Sequence, residues 1–326
     1  MVIKKEIFKF DKVPNKDGTE LQKSINIISN YSKNIDKNLF NKEIIDYYLN
    51  KKSGLFLILP TGQQIMNALK RILIKAIYKK LNFKEYSLPK LTNPSICYRA
   101  RIVGKWDDYL LSVKPYRFTK GNREELILDP LQCTPLYEYL RNKKLNDKKL
   151  PLKVLDISGP TYRNEDTSEL VPCIKQLEFH RMEFVYFGSK SDVINIREQI
   201  LTNAEKICAK LNIPFRRVIG SGCYEVTSNL IKFPESIDTL PVIDLELFIP
   251  KGFKKRNKRE KYLEVIGGSI LGNQQTTRFN IKTKSGKSLW SGCCGFGLNR
   301  LMYAFIANNG FNSKKWSALM KKNLED

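Results

Sequence analysis

Long apolar segments are absent from this sequence of 326 residues. No apolar run approaches the roughly 20 residues that a membrane-spanning helix needs, and the Lys-rich start from Met1 to Phe10 lacks the apolar region of a signal peptide. Hydrophobic residues still make up 42% of the chain, which suffices for a large buried core. We therefore expect a globular protein of one large domain or two modest ones, with no membrane partner.

Histidine is nearly absent, and cysteine occurs without regular short spacing. His180 is the only histidine, and we assign it no catalytic proton transfer. The seven cysteines do not form the pattern of a disulfide framework. Their spacing therefore favours a reducing, cytoplasmic setting.

Acidic residues are few relative to basic ones. The chain has 57 Lys and Arg against 33 Asp and Glu, which gives a formal net charge of +24. Lys outnumbers Arg and is spread along the whole chain, which is typical of a general compositional bias. The alternative is a polyanionic partner, either nucleic acid or an acidic protein. Charge alone does not choose between these interpretations.

A strand and a long helix are predicted near residue 60. The run from Leu55 to Leu59 has the length of a strand, and Thr61 with Gln64 predicts a capping box at the start of the helix. Apolar residues then recur at helical spacing to about Leu81, and Tyr86-Ser87-Leu88-Pro89 is predicted to be extended. Taken alone, this helix is an ordinary amphipathic core helix.

Further strands and helices alternate in the second half of the chain. The segment from Arg181 to Phe187 alternates its faces, as a half-buried strand does. Val242 to Ile249, with Asp244 on one face, and Arg278 to Thr283 are additional strand candidates. Strands joined by short turns and flanked by a few long helices predict an α+β fold, in which helices pack on an antiparallel sheet.

Three short segments carry the chemistry of this chain. Tyr162-Arg163-Asn164-Glu165 and Glu178-Phe179-His180-Arg181-Met182-Glu183 are predicted to lie in two antiparallel strands joined by a polar loop. Gly295-Phe296-Gly297-Leu298-Asn299-Arg300 is a glycine-rich strand end that leads into a helix and presents one arginine. Two motifs in this order, each in its expected strand or helix, form a specific pattern.

These segments resemble motifs 2 and 3 of the class II aminoacyl-tRNA synthetases, which activate amino acids with ATP. The helix near residue 60 and the strand after it resemble motif 1, the dimerisation element of that family. The resemblance implies a class II synthetase-like antiparallel sheet flanked by helices and a homodimer. We therefore expect a short N-terminal extension over 1–50 and a catalytic domain over 51–326.

The resemblance implies roles for five residues around ATP. Such chemistry needs positive charge around the reacting phosphate. Arg163 matches the family arginine that bridges the substrate carboxylate and the α-phosphate, and Arg300 matches the one that covers adenine and contacts the γ-phosphate. Glu165 and Phe179 match the residues that bind and stack on adenine. Glu264 matches the carboxylate that holds Mg²⁺ on the phosphates. Both arginines are therefore the catalytic candidates.

Arg181 and His180 follow Phe179 in the same predicted strand. Arg181 is a candidate contact for the nucleotide, in particular the γ-phosphate. For His180 a phosphate contact and a hydrogen-bonded strand histidine remain equally open.

A second set of residues is similar to the methanogen-type seryl-tRNA synthetases, in which two Cys and one Glu hold Zn²⁺ in the amino-acid pocket. The matching ligands here are Cys133, Glu183 and Cys293. Three protein ligands with an open fourth position are typical of a zinc that binds substrate, here through its amino group. Cys294 is adjacent to Cys293, and strand alternation lets only one of the two face the pocket. The alternative is that these cysteines are small buried hydrophobic residues.

The resemblance also implies an acceptor for the activated amino acid. Residues 1–50 are too short for the tRNA-binding domain of methanogen-type seryl-tRNA synthetases. A catalytic core without that domain resembles the layout of the amino acid:[carrier protein] ligases. Those enzymes transfer the aminoacyl group to the phosphopantetheine thiol of a carrier protein, and this is our leading hypothesis. Two features depart from the pattern of the carrier-protein ligases. Asn299 stands where the family usually has Glu, and the segment Gly267 to Arg278 is closer to seryl-tRNA synthetases.

Two alternatives remain. One is a stand-alone minimal synthetase that charges tRNA with an amino acid such as serine. The other is a non-catalytic paralogue that acts as a binding or regulatory protein. The joint presence of Arg163, Glu165, Glu264 and Arg300 argues against it. The basic segment from Lys251 to Lys261 is predicted to be a loop that meets an acidic carrier, a phosphate backbone or only solvent. The side chain of the amino acid substrate cannot be identified from the sequence.

Overall fold

The computed structural model describes residues 35–50, 53–102, 106–114, 125–220, 222–223, 240–255 and 258–325. Its helices are α1 (Ile35–Asn41), α2 (Pro60–Leu73), α3 (Pro94–Ala100), α4 (Thr134–Leu140), α5 (Lys190–Lys210), α6 (Gln274–Arg278), α7 (Leu298–Asn309) and α8 (Ala318–Glu325). Its strands are β1 (Ile45–Tyr47), β2 (Phe56–Ile58), β3 (Lys84–Tyr86), β4 (Leu91–Thr92), β5 (Leu111–Val113), β6 (Leu126–Leu128), β7 (Lys144–Leu145), β8 (Leu152–Asp156), β9 (Pro160–Tyr162), β10 (Glu178–Gly188), β11 (Phe215–Ile219), β12 (Val242–Lys255), β13 (Lys258–Gly272), β14 (Lys282–Thr283) and β15 (Trp290–Gly297).

One large sheet organises the chain. Its strands lie in the order β11-β12-β13-β15-β10-β8-β3, with β9 paired to β10. Every neighbouring pair is antiparallel except β3 with β8 at one edge. The predicted α+β fold with an antiparallel sheet and flanking helices is therefore confirmed.

Strand alternation divides the buried residues into two cores on opposite faces of the sheet. On β10, Met182 and Phe184 face a large core that also contains residues of α2, α5 and α7. Val185 and Phe187 face a smaller core with α4 and part of β15. Burial of each such side chain contributes about 1.5–3 kcal/mol, so a register shift by one residue would be costly. The alternation thereby also decides which face of the sheet Glu183 joins.

The motif 1 helix begins two residues earlier than its capping signal predicts. Leu59 is the N-cap residue and makes no side-chain cap, and α2 starts at Pro60, so the predicted capping box of Thr61 and Gln64 is wrong. Proline suits the first helical position because its fixed φ is already helical and its missing N–H needs no partner there. After Leu73 the helix continues in wider π-helical turns to Lys79.

Ile35, Leu39, Ile44 and Ile45 pack into the large core. Leu39 and Ile44 are buried there, and β1 pairs with β2. A Cβ atom at Gly62 would lie 2.3 Å from the carbonyl oxygen of Ile44. Only glycine therefore allows α2 to approach this segment so closely.

Two local predictions need correction. The segment from Arg278 to Thr283 is not one strand, because Arg278 ends α6 and only Lys282–Thr283 is extended. The basic segment from Lys251 to Lys261 is mostly the paired ends of β12 and β13 rather than a loop, and its residues 256–257 lie outside the described part. Among the described residues, no helix combines the length and the apolar character needed to cross a membrane.

Candidate active site

One cavity opens over the central strands of the sheet. Its lining includes every residue proposed from the sequence as a nucleotide or metal contact: Cys133, Arg163, Glu165, Phe179, Arg181, Glu183, Glu264, Cys293 and Arg300. It also includes polar residues that the sequence did not single out as site residues: Lys175, Gln176, Cys223, Asp244, Ser269 and Asn299. The fold therefore gathers all nine candidates into one site.

Sheet register brings the distant segments together. Antiparallel pairing of β10 with β15 sets Arg181 opposite Gly297 and Glu183 opposite Gly295. On the other side of β15, Gly267 of β13 also pairs with Gly295. Because Gly295 and Gly297 have no side chains, the backbone of β15 is uncovered next to Arg181 and Glu183 of β10.

Gly295 is required by this arrangement. A Cβ atom there would lie 2.0 Å from Nη2 of Arg181 and 2.7 Å from Oε2 of Glu183. These two side chains, both on β10, form an ion pair that lies against the backbone of β15 at Gly295, and Glu183 is only 1% exposed. Any side chain at position 295 would displace that ion pair.

Two sulfurs and a carboxylate converge at the inner end of the cavity. Cys133 precedes α4, Glu183 lies on β10 and Cys293 lies on β15, and their ligand atoms all lie within 4.8 Å of one another. All three residues are buried. Cys294 points to the opposite face of the sheet, where its sulfur lies 3.5 Å from the hydroxyl of Tyr186. The alternation of β15 thus places Cys293, not Cys294, in the cluster.

The donor atoms of this cluster suit zinc. Two thiolates and a carboxylate are zinc ligands, and three of them leave a fourth position free for substrate. A hydrogen bond with Cys133, followed by burial, raises the pKa of Cys293 well above its ordinary value. Without a metal the sulfur of Cys293 is therefore protonated, and metal binding would release its proton.

Arg181 balances the charge of the cluster. Burial acts to lower the pKa of Arg181, but the carboxylate of Glu183, followed by the thiols of Cys133 and Cys293, raises it above its ordinary value. The guanidinium therefore stays charged although it is buried. In this structure its visible partner is Glu183, and its proposed contact with nucleotide stays a prediction.

Arg163 lines the same cavity, near Arg181, Glu165 and Arg300. Its guanidinium carbon lies 5.3 Å from the ring centre of Phe179, and its Nε donates a hydrogen bond of 3.3 Å to the carbonyl of Pro130. Burial lowers the pKa of Arg163 from its ordinary value. Guanidinium nevertheless remains charged in proteins, so Arg163 presents a desolvated positive charge to the cavity.

Glu165 is paired in this structure. Its carboxylate lies 3.2 Å from Nζ of Lys175, which also forms an ion pair with Glu169. Burial acts to lower the pKa of Lys175, but the two carboxylates raise it above its ordinary value. An adenine amino group at Glu165 would therefore compete with Lys175 for the carboxylate.

Backbone carbonyls orient Arg300. Its Nε donates to the carbonyl of Ile174 and its Nη1 donates to the carbonyl of Glu264, both at 2.9 Å. These bonds connect the first turn of α7 with the motif 2 loop and with β13. Arg300 is thereby held on the cavity wall by groups that carry no formal charge to neutralise it.

Two carboxylates approach the same point on β13. A Cβ atom at Gly267 would lie 3.3 Å from Oδ1 of Asp244 and 3.9 Å from Oε1 of Glu264. Asp244 was recognised only as a polar position on an alternating strand, whereas its neighbour Glu246 pairs with Arg216 at 2.7 Å. Oxygen donors of this kind suit Mg²⁺.

Asn299 links motif 3 to motif 2. Its Oδ1 accepts a hydrogen bond of 2.7 Å from the backbone N–H of His180. Burial lowers the pKa of His180 from its ordinary value, so the imidazole is neutral near pH 7. The departure from the family pattern at position 299 therefore has a structural role that the sequence did not reveal.

Comparison with known proteins agrees with this architecture. Residues 116–309 match the family model of the tRNA synthetase class II core domain (G, H, P, S and T). The type-2 serine–tRNA ligase of Methanopyrus kandleri is 25% identical over 293 residues, which are 81% of this chain and 55% of that protein. The corresponding ligase of Methanocaldococcus jannaschii is 26% identical over 301 residues, which are 83% and 56% of the two chains. The chain thus spans about half the length of the curated relatives it matches.

Solved structures show the same fold. A seryl-tRNA synthetase of M. kandleri, in complex with tRNASec of A. aeolicus, aligns with a TM-score of 0.78 at 22% identity over 90% of this chain and 60% of that one. A cytoplasmic serine–tRNA ligase of Naegleria fowleri in complex with AMP aligns with a TM-score of 0.71 at 15% identity over 90% and 59% of the two chains. A prolyl-tRNA synthetase of Cryptosporidium parvum aligns with a TM-score of 0.67 at 18% identity over 85% and 53%.

Proposed function

Because this chain belongs to the family of the tRNA synthetase class II core domain, we propose that it activates an amino acid with ATP as an aminoacyl-adenylate. Serine is the proposed amino acid, since both sequence relatives described above are named serine–tRNA ligases. One observation carries the proposal. The cluster of Cys133, Glu183 and Cys293 opens into the same cavity as Arg163 and Arg300, so a site for an amino group adjoins a site for phosphate.

Arg163 and Arg300 provide the positive charge of the proposed reaction. The planar guanidinium of Arg163 holds one oxygen of the substrate carboxylate and one of the α-phosphate, which aligns the two reacting groups. Arg300 covers adenine and contacts the γ-phosphate. Because protein contacts already orient both arginines in the cavity, little reorganisation accompanies the development of negative charge on phosphorus.

Adenine binding falls to Glu165 and Phe179 in this proposal. Glu165 accepts a hydrogen bond from the adenine amino group, and Phe179 stacks on the ring. Lys175, released from Glu165, then lies near enough to approach the phosphates. Glu264, with Asp244 beside it, would hold Mg²⁺, which neutralises the polyphosphate.

Cys133, Glu183 and Cys293 are the proposed zinc ligands. These residues would hold Zn²⁺, and the bound metal would supply a Lewis acid for the substrate amino group, so that acids without one are rejected. The chain's own contribution is to hold two sulfurs and a carboxylate at the correct spacing. Arg181 compensates the negative charge of the ligands from the side of Glu183.

The acceptor is proposed to be tRNA rather than a carrier protein. The relatives reported above are serine–tRNA ligases, so they favour the seryl-type alternative over the carrier-protein transfer that we expected from the sequence. A net charge of +24 suits the phosphate backbone of tRNA as well as an acidic carrier. Transfer to phosphopantetheine remains the second candidate and is separated by experiment.

A homodimer around α2 is also proposed. Tyr48, Leu49 and Leu57, on or next to the β1–β2 pair beside α2, are 49%, 75% and 45% exposed. Large apolar side chains grouped at a surface are typical of an interaction site. Light scattering at micromolar concentration should give twice the chain mass, and a monomer would contradict the proposal.

The function is tested by amino-acid-dependent exchange of pyrophosphate into ATP. Serine should support exchange, and the other amino acids should support much less. Arg141→Ala is the control, because Arg141 is 43% exposed and its partner Glu138 lies outside the cavity. Labelled serine is then offered with total tRNA or with phosphopantetheinylated carrier protein. Label on the carrier alone would reverse the proposed acceptor, and no exchange with any amino acid would refute activation.

A further inference from the structure

Two hydroxyl groups lie buried behind the metal cluster. Tyr137 is 1% exposed and Ser291 is 0% exposed. In the part of the chain that the structure describes, neither the Tyr137 hydroxyl nor the Ser291 hydroxyl makes a hydrogen bond of normal length and angle. A buried polar group without a well-formed hydrogen bond is destabilising, so two of them next to one another need an explanation.

Each of these residues lies on the same face of its helix or strand as a proposed sulfur ligand. Tyr137 follows Cys133 by four residues, and positions i and i+4 lie on the same side of a helix. Ser291 precedes Cys293 by two residues on β15, so both lie on the same face of the sheet. A helix and a strand that are far apart in sequence thus each place a hydroxyl beside their own cysteine.

The Tyr137 ring is held in place. It packs against Phe187 at 5.2 Å and against Phe279 at 5.6 Å between ring centres. Neither Tyr137 nor Ser291 lines the cavity, whereas Cys133 and Cys293 do. The hydroxyls therefore approach the cluster from inside the protein, and substrate approaches it from the cavity.

The Tyr137 hydroxyl lies near the sulfurs of Cys293 and Cys133 and contacts the hydroxyl of Ser291. A phenol O–H is a hydrogen-bond donor. Sulfur is a weak acceptor as a thiol and a much stronger one as a thiolate.

We propose that Tyr137 and Ser291 are positioning residues of the metal site, whose hydroxyls donate hydrogen bonds to the thiolates of Cys133 and Cys293 when a metal is bound. The sulfurs of Cys133 and Cys293 hydrogen-bond to one another, and neither hydroxyl makes a hydrogen bond of normal length and angle to them. Metal-bound sulfurs would be thiolates, which are stronger acceptors for the two hydroxyls. The inference rests on the proposed function, because it takes the cluster to be a zinc site.

The experiment measures zinc affinity by competition with a chelator of known affinity. Tyr137→Phe and Ser291→Ala should each bind Zn²⁺ about 10–100-fold more weakly, as loss of a contact to a metal ligand does. Replacement of zinc by Co²⁺ gives a second signal, since the sulfur-to-cobalt absorption band should shift when a donor to sulfur is removed. In contrast, metal-free Tyr137→Phe should unfold at the same temperature as wild type or higher, because it loses a polar group without a well-formed hydrogen bond.

Tyr303→Phe is the matched control. Tyr303 is also buried, but its hydroxyl binds Asp36 at 2.9 Å in the core on the other face of the sheet. This variant should keep wild-type zinc affinity and a wild-type cobalt spectrum. Unchanged affinity and spectra in both Tyr137→Phe and Ser291→Ala, with zinc in the wild type, would overturn this inference and leave the metal site intact. Absence of bound zinc from active wild-type protein would overturn both.

Discussion

The two halves of the cavity are built differently. The half that we propose to bind metal, called the metal half, consists of Cys133, Glu183 and Cys293, which are 3%, 1% and 8% exposed and are held by strands and a helix start. In the half proposed to bind nucleotide, called the nucleotide half, Glu165 is held by the ion pair with Lys175, whose side chain is 25% exposed. The first half is already ordered and almost dry, whereas a ligand in the second would have to replace existing contacts. Substitutions in the metal half should therefore change side-chain packing and metal affinity, and substitutions in the nucleotide half should change nucleotide affinity.

The largest effect is expected from loss of a sulfur ligand. Cys133→Ser should abolish both zinc binding and serine-dependent exchange, because a buried serine hydroxyl does not replace a thiolate. ATP binding, measured by calorimetry, should stay close to wild type since its proposed contacts come from other residues. Cys208→Ser is the control, as Cys208 is buried in the large core away from the cavity. Full exchange without bound metal would contradict the division into two halves.

Arg163→Ala should have the next largest effect. Loss of a desolvated charge at the reacting phosphate removes on the order of 3–5 kcal/mol of transition-state stabilisation. Arg300→Ala should lose a similar amount, since it also removes a charged phosphate contact. The decrease should be seen in kcat/KM for exchange with zinc content unchanged. Wild-type exchange in Arg163→Ala would refute its assignment.

Asp129 tests how dry the metal half is. Its carboxylate is 0% exposed and accepts a hydrogen bond from the Leu131 N–H in the turn before Cys133. Burial raises its pKa from 3.8 to about 6, so the folded protein binds this proton more tightly than the unfolded chain does. This group's destabilising contribution is therefore absent below about pH 4 and grows to about 3 kcal/mol as pH rises through 6.

Asp129→Asn should remove that dependence. The amide keeps the acceptor for Leu131 without the buried charge, so the free energy of unfolding at pH 7 should rise by up to about 3 kcal/mol. Urea unfolding of both proteins between pH 4 and pH 7 measures the difference. Parallel curves for wild type and variant across that range would show that the carboxylate is not in a dry environment.

Gly295→Ala should disturb the boundary between the halves. Its methyl group would meet the Arg181–Glu183 ion pair, and such overpacking costs about 1–3 kcal/mol. We expect a lower free energy of unfolding together with weaker zinc binding. Gly286→Ala is the comparison, because no atom lies within 4 Å of a Cβ there although its φ of +77° is itself unfavourable. Equal zinc affinity in both variants would mean that the ion pair does not support Glu183.

Glu165→Gln should have the smallest effect. The amide oxygen still accepts from adenine, but the charge is lost, so KM for ATP should rise by about fivefold, or about 1 kcal/mol. The KM for serine should not change, in contrast to the metal-half variants. A selective change in the KM for serine would mean that Glu165 acts in the metal half of the cavity rather than in the nucleotide half.

Local patterns in the sequence were sufficient for much of the fold. The alternation of Met182 and Glu183 along β10 predicts which residues enter the core and which face the cavity, because period 2 is intrinsic to a strand. The same rule separates Cys293 from Cys294. The start of α2 was predicted less well, because Pro60 and Thr61 both carry helix-start signals. The helix begins at Pro60, and this start accompanies the close tertiary contact of Gly62 with Ile44.

By itself the sequence determined the chemical identity of the site: two arginines, the carboxylates and a pair of thiols, in motifs whose spacing indicates strand and helix. Only the tertiary structure decided which of these groups meet. The Glu165–Lys175 ion pair, the Asn299–His180 hydrogen bond and the burial of Tyr137 behind Cys133 were not predicted. Such contacts depend on sheet register and on packing between segments far apart in the chain, and local residue patterns do not encode these distances.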